Sequence, residues 1–281
     1  MSPNSVPARW TPYLLSVTRI IFGFLILRHG MEQVFGFPEA SDVPTISVLG
    51  LIKLLALPGG LLMMLGLFTR PTGIVLSIAF AIFYLAGPLQ EGFWTLRNGG
   101  DPAVLNCLFF LYLAAAGAGA WSLDQLLAGR KRIEPATWTP YVLSVMQIIA
   151  GLVFVQHGWQ KLFGFQGGRI ERDLLTVRGF GGFLETLGGP LISLGLFMRP
   201  LAFILSGEMA VAYFRSWAPR GFWASFSEPG MEASILFCFL FLFFCAAGAG
   251  VWSLDALIKG ARARRAAAAR PEKLQQSAPS R

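Results

Sequence analysis

Four short motifs, each present twice, decide the fold of this chain. WTPYLLSV at 10–17 returns as WTPYVLSV at 138–145, and HGMEQVFGF at 29–37 returns as HGWQKLFGF at 157–165. Later in each half, GLFTRP at 66–71 matches GLFMRP at 195–200, and GAGAWSLD at 117–124 matches GAGVWSLD at 248–255. Because the motifs recur in one order over most of the chain, they predict a tandem duplication.

The composition around these motifs is typical of a membrane protein. Of the 281 residues, 54% are hydrophobic and only 14% are charged, whereas an ordinary soluble domain has about 25% charged residues. A helix that crosses a bilayer needs about 20 mostly apolar residues. Eight such stretches can be read, at 13–35, 46–68, 72–90, 102–121, 141–163, 180–198, 201–218 and 232–252. The first has no small-residue cleavage site behind it, so we expect it to remain as a helix.

The sequence therefore predicts an all-α polytopic membrane protein with eight transmembrane helices. We expect a first four-helix repeat at 1–130, a second at 131–260, and a basic, disordered cytoplasmic tail at 261–281. Because each repeat has an even number of helices, both enter the membrane from the same side. The two bundles are then parallel and related by a pseudo-symmetry axis along the membrane normal.

The distribution of basic residues predicts the orientation. Thirteen Lys and Arg residues fall on the side of the termini and eight on the other, which favours cytoplasmic termini in the cell inner membrane. The net charge of +8 is concentrated at the cytoplasmic rim and tail, where lipid headgroups are the simpler counter-charge. The bilayer is therefore the expected partner, and nucleic acid is not.

The repeated motifs resemble the DoxX family of small four-helix membrane proteins, once over 13–124 and again over 141–255. The resemblance is carried by HGxxxxFGF, GLFxRP and GAGxWSLD together. It implies a four-helix membrane fold, and some members of the family look like subunits of thiosulfate:quinone oxidoreductase or partners of terminal quinol oxidases. The acidic residue usual in helix 2 is present as Glu185 but is replaced by Ala56 in the first repeat, which suggests a degenerate first site.

Ionisable groups inside a membrane usually mark function. In the second repeat, His157, Lys161, Glu185, Arg215 and Glu232 are all predicted near the outer ends of their helices. We expect them to converge on one pocket, with His157, Glu185, Lys161 and Glu232 as candidate catalytic residues.

The first repeat has a smaller set of ionisable groups: Arg28, His29, Glu32 and Asp101. We take His29, Arg215 and Glu208 as candidate substrate-binding residues. A histidine near a carboxylate can move the protons that accompany quinone chemistry. The alternative is that these side chains tie helices together. Glu208 either handles protons or substrate or forms a neutral bond between helices.

Other polar residues have simpler structural explanations. Arg19, partway along helix 1, is expected to extend to the cytoplasmic surface. Ser122 and Ser253 are expected to cap short helices after the GAG motifs. Cys107, Cys238 and Cys245 form no CxxC motif, so thiol–disulfide chemistry is disfavoured.

Three classes of function stay open. The first is an accessory subunit of quinone-linked or sulfur-compound electron transfer, with quinone bound in the outer pocket and respiratory or redox proteins as partners. The second is a small-molecule or proton-coupled transporter, and the third a non-catalytic assembly or stress-protection factor. No metal motif is present, and haem held by His29 and His157 is conceivable but not favoured.

Overall fold

The computed structural model describes residues 6–129, 134–220 and 229–276, and all the regular secondary structure in these residues is helical. The first half contains α1 (Val6–Phe35), α2 (Val48–Leu65), α3 (Thr69–Ala86), α4 (Pro88–Glu91), α5 (Thr95–Asn98), α6 (Asp101–Ala116) and α7 (Leu123–Ala128). The second contains α8 (Thr139–Phe163), α9 (Val177–Leu194), α10 (Met198–Ser216), α11 (Pro229–Ala247) and α12 (Leu254–Gln276).

A helix lies at each of the eight predicted spans. Five of the described helices are long and apolar enough to cross a membrane: α1, α2, α3, α8 and α11. Helix α6 is apolar but has only 16 residues, because the GAG motif that was predicted to continue it instead ends it at Gly117, whose φ is 90°. Helices α9 and α10 have 18 and 19 residues and include charged side chains, so the full set of eight spans stays a prediction.

The helices pack in a closed order that joins the two halves. Within the halves, α1 packs on α2 and α3 on α6, as α8 packs on α9 and α10 on α11. Between the halves, α1 packs on α11 and α6 on α8. Aromatic side chains fill the centre, where the rings of Tyr112 and Phe243 lie 5.3 Å apart. The two halves therefore share one hydrophobic core.

Glycine allows the closest of these helix pairs to form. A β-carbon added to Gly30 of α1 would lie 2.3 Å from the backbone nitrogen of Leu57 in α2. At the equivalent place in the second half, a β-carbon on Gly158 would lie 2.5 Å from the backbone nitrogen of Thr186. Small residues of this kind allow membrane helices to approach closely. The tight pairs α1–α2 and α8–α9 hold the histidine-bearing helices in place.

The GLFxRP and WSLD motifs bind each other. The Asp124 carboxylate accepts hydrogen bonds from the backbone N–H groups of Phe68 and Thr69, both at 2.8 Å, where α3 begins. Asp255 does the same for Phe197 and Met198, both at 3.1 Å, where α10 begins. Each aspartate thus satisfies otherwise unpaired donors at a helix start.

The serines of WSLD also act as predicted. Ser122 accepts a hydrogen bond from the N–H of Gln125, and Ser253 accepts one from Ala256, each at 3.2 Å. Both serines cap the helix that follows, which is the short α7 after Ser122 but the 23-residue α12 after Ser253, where a short helix was expected. This confirms that the motif has an architectural role.

Arg19 does not reach the surface. Its side chain is fully buried, and its guanidinium donates to the carbonyls of Ala118 at 2.8 Å, Met64 at 3.0 Å and Trp121 at 2.5 Å, as well as to Met63. These carbonyls lie where α2 ends and just after α6, where the backbone leaves acceptors unpaired. The expectation of an extended, surface-seeking side chain is wrong because the carbonyl cluster binds the charge locally.

The basic tail differs from the sequence expectation. Disorder was predicted from 261, but the chain continues as α12 as far as Gln276. Its run of Ala and Arg residues at 261–270 consists of strong helix formers, which favour a continued helix. Residues 277–281 lie outside the described residues.

Candidate functional site

The two histidines of the chain each bind a carboxylate from the other half. Nε2 of His29, on α1, lies 2.9 Å from Oε2 of Glu232 on α11. Nε2 of His157, on α8, lies 2.8 Å from Oδ2 of Asp101 on α6. All four side chains are largely buried, with the histidines 25% and 20% exposed. The pairs therefore cross the junction between the halves reciprocally.

Both carboxylates lie in the first turn of their helices. Asp101 begins α6, and Glu232 lies in the first turn of α11. A helix start favours negative charge because its N–H dipoles point outward. The packing of α6 on α8 and of α11 on α1 then sets each acid opposite the histidine of the other half.

The His29–Glu232 pair borders a cavity of about 360 Å³ in the first half. The cavity is lined by α1, α2, α3, α6 and the loop at 39–42, together with Glu232 from the second half. Its apolar wall includes Ala56, Leu76, Phe80 and Phe83. The cavity thus has an apolar body and a polar end.

Charged groups surround that polar end. Arg28 bonds to Glu32 at 2.5 Å and lies 3.8 Å from Glu232. Lys53 of α2 also lines the cavity and donates to the Ser41 hydroxyl at 2.9 Å. Oε1 of Glu232 is buried with no hydrogen-bond partner among the described residues. A ligand hydroxyl or a water in the cavity would satisfy this oxygen.

A second cavity, of about 460 Å³, lies between α8, α9 and α10. Lys161, Glu208 and Arg215 all line it, and Lys161 forms an ion pair with the buried Glu185 beside it. Oε2 of Glu208 is buried and has no hydrogen-bond partner in the part of the chain that the structure describes. Glu185 is also buried.

The two halves build these cavities with cations from different helices. Lys161 extends from α8, and Gly182 of α9 leaves room for it, since a β-carbon there would lie 2.9 Å from Cβ of Lys161. In the first half the residue matching Gly182 is Lys53, and the residue matching Lys161 is Gln33. Gln33 turns away, donating to Val43 O at 3.1 Å. Each cavity therefore contains one lysine ammonium group, but that lysine lies on α2 in the first half and on α8 in the second.

Most of the predicted site residues lie at two separate cavities rather than in one pocket. Lys161, Glu185, Glu208 and Arg215 lie in or beside the second cavity, whereas Glu232 joins His29 at the first. The physical reason is that α11 packs on α1, so the start of α11 faces the first half.

The remaining predicted residue, His157, binds Asp101 rather than a residue of its own half. Lys53 was missed as a site residue because, although it lies in the predicted span 46–68, it was counted only among the basic residues that predict the orientation. The mismatch of Lys53 with Gly182 and of Gln33 with Lys161 was the available signal.

Comparison with known proteins identifies the family of this chain. The family model DoxX matches residues 142–216. An uncharacterized protein of Haemophilus influenzae is 37% identical over 128 residues, which span 42% of this chain and 92% of that relative. No solved structure matches the chain. With its apolar helices and these matches, the chain is an integral membrane protein that belongs to the DoxX family.

Proposed function

We propose that this protein is an accessory membrane subunit of quinone-linked electron transfer and that it binds the quinone headgroup in the first-half cavity. In this proposal it is a duplicated four-helix protein of the cell inner membrane with both termini in the cytoplasm. The observation that carries the proposal is the cavity itself, an apolar space that ends at the His29–Glu232 pair.

The chemistry of the cavity suits a quinone. A quinone headgroup is a flat, mostly apolar ring with polar oxygens at its ends, and binding sites of that kind combine apolar walls with a few placed polar groups. Leu76, Phe80 and Phe83 supply the wall. Lys53 supplies a hydrogen-bond donor, and the unpartnered Oε1 of Glu232 can accept from a quinol hydroxyl.

Protons must accompany the electrons. Reduction of a quinone to a quinol takes up two electrons and two protons, and the reverse reaction releases them. We assign the electrons to a redox partner protein and the protons to Glu232 and His29, which are hydrogen-bonded to each other. Glu32 lies 3.3 Å from the other ring nitrogen of His29 and extends the path.

The first test is direct. Protein purified in mild detergent is extracted, and the small molecules are identified by mass spectrometry, followed by equilibrium binding of a short-chain quinone. We expect a co-purifying quinone, and we expect Glu232→Gln and His29→Gln each to weaken binding about tenfold, because each removes one hydrogen bond with a charged or buried partner.

The reciprocal pair provides a matched control. His157 and Asp101 form the same kind of bond in an equivalent position but line neither cavity. His157→Gln and Asp101→Asn should therefore leave quinone affinity within about twofold of the parent. Equal losses in both pairs, or no quinone binding by the parent, would overturn the proposal.

A further inference from the structure

The two cavities have opposite charge. The first is lined by Arg28 and Lys53 and by four carboxylates, those of Glu32, Glu39, Asp42 and Glu232. The second is lined by three cations, Lys161, Arg178 and Arg215, and by one carboxylate, that of Glu208. If the carboxylate of Glu185, the partner of Lys161, is counted as well, the charged side chains of the second cavity still have a net positive charge. The halves are thus built for ligands of different charge.

The second cavity also opens toward lipid. Three of its wall residues, Phe180 of α9 with Ile204 and Val211 of α10, are 55%, 51% and 54% exposed. Exposed apolar side chains on a membrane helix contact acyl chains. A ligand can therefore enter sideways from the bilayer between α9 and α10.

Among the charged groups that line this cavity, Lys161 is paired with Glu185, but the two arginines are not paired with a carboxylate of the described residues. Neither Arg178 nor Arg215 forms an ion pair with a carboxylate among the described residues, and Arg178 has only a 3.4 Å bond to the carbonyl of Arg169. Glu208 lies deeper, about 10 Å along the α10 axis from Arg215. Its unpartnered oxygen needs a donor. The two cations at the mouth of the cavity and the one hydrogen-bond acceptor inside it match a lipid headgroup that carries a phosphate and a hydroxyl group.

We propose that the second cavity binds one anionic phospholipid with a hydroxylated headgroup. Arg178 and Arg215 hold the phosphate, because guanidinium groups bind phosphate oxygens through paired hydrogen bonds. Glu208 accepts a hydrogen bond from a headgroup hydroxyl, and the acyl chain lies along Phe180 and Ile204. This site is separate from the quinone cavity and does not depend on it.

The test uses the full-length protein in nanodiscs of phosphatidylcholine with a minor fraction of phosphatidylglycerol. Native mass spectrometry of the released protein counts bound phosphatidylglycerol. We expect one retained molecule, and a loss of about tenfold or more in retention for the double variant Arg178→Gln, Arg215→Gln. The Arg→Lys double variant keeps the charge and should retain an intermediate amount.

A matched control separates this site from general surface charge. Arg169 and Arg172 are exposed cations in the loop before α9 and line neither cavity. Arg169→Gln with Arg172→Gln removes the same charge and should leave retention unchanged. Equal losses in the two double variants would overturn the proposal. Size-exclusion profiles and unfolding temperatures confirm that each variant is folded.

Two further arms identify the headgroup and its source. Glu208→Ala should reduce the preference for phosphatidylglycerol over phosphatidic acid, which has no headgroup hydroxyl. Displacement of the bound lipid by inorganic phosphate or glycerol phosphate would instead show a site for a water-soluble anion and would overturn the lipid assignment. Quinone binding, measured on the same variants, should be unchanged.

Discussion

At the scale of single residues, Arg19 is the most consequential side chain outside the cavities. Its guanidinium joins the end of α2 to the chain after α6 through four carbonyl oxygens, at a place with no exposure to solvent. In the second half the matching residue is Gln147, whose Oε1 accepts from the N–H of Gly250 at 2.8 Å. The same junction is thus held by one charged residue and one neutral residue.

We expect Arg19→Gln to lower the free energy of unfolding by about 2–4 kcal/mol. The shorter neutral side chain leaves buried carbonyls without donors, which costs about 1–3 kcal/mol for each group. Thermal unfolding in detergent measures the change. Arg9→Gln, an exposed arginine earlier in α1, is the control and should change the unfolding temperature little. An equal effect of the two would contradict the structural role of Arg19.

A second residue-scale prediction concerns the space for Lys161. Gly182→Ala should cost about 1–3 kcal/mol, because the new β-carbon meets Cβ of Lys161, which cannot move away as a flexible chain end does. Gly207→Ala on α10 is the control, since a β-carbon there meets nothing within 4 Å. That change should be neutral or stabilising by about 0.5–1 kcal/mol. Unfolding curves that rank the two variants the other way would refute the packing argument.

At the scale of elements, the pairing of GLFxRP with WSLD explains why these motifs occur together. Asp124 and Asp255 each cap the start of a long helix that is distant in sequence. The unusual backbone before each start, φ of 50° at Phe68 and 51° at Phe197, leaves two N–H groups exposed toward the aspartate. The same local geometry recurs in both halves.

We expect Asp124→Ala and Asp255→Ala to destabilise the protein by similar amounts, about 1–2 kcal/mol each. The two aspartates share none of these hydrogen-bond partners, so the double variant should show the sum of the two effects. Thermal or denaturant unfolding of the three variants tests this. A large effect from one aspartate and none from the other would show that only one half depends on its cap.

The sequence was sufficient to predict the helices and their order but not their ends. Apolar runs predict a helix wherever they occur, so the positions of α1, α2, α3 and α8 were predictable. The runs that include GAG were predicted too long, because the glycines at 117 and 248 adopt positive φ and end α6 and α11.

The polar residues of the candidate site could be named from the sequence, but the side chains that they bind could not. His157 and Glu232 were predicted to share one pocket in the second repeat, yet each binds a residue of the other half. The packing of α1 on α11 and of α6 on α8 determines those pairings. No motif in a single sequence indicates which helices of the two halves pack together.

At the scale of the whole molecule, exposed aromatic residues mark one edge of the bundle. Trp10, Trp121, Trp138 and Trp252 are 40–59% exposed, and Tyr13 and Tyr141 pack against Trp121 and Trp252. Trp and Tyr concentrate at membrane–water interfaces. This edge holds the turns of the GLFxRP and WSLD motifs, and the His–carboxylate pairs lie toward the opposite edge.

The eight-span arrangement predicts which loops a membrane-impermeant maleimide can reach in intact cells. After replacement of the three native cysteines by alanine, Ser41→Cys and Arg172→Cys should be labelled from outside. Ala128→Cys and Arg262→Cys should be labelled only after the membrane is permeabilised. Labelling of all four in intact cells, or the reverse pattern, would reject the parallel topology or its orientation.

Each histidine pairs with a carboxylate of the other half, and this arrangement affects how the two cavities can diverge in sequence. A histidine whose partner comes from another four-helix unit is complete only when both units are together. If the units were separate molecules, that completeness would depend on their concentration, whereas a single chain keeps the partner permanently at a high effective concentration. The residues that line one cavity can then change without a matching change in the other cavity. One cavity can therefore be acidic and the other basic, because covalent linkage keeps the histidine–carboxylate pairs together while the cavity linings differ.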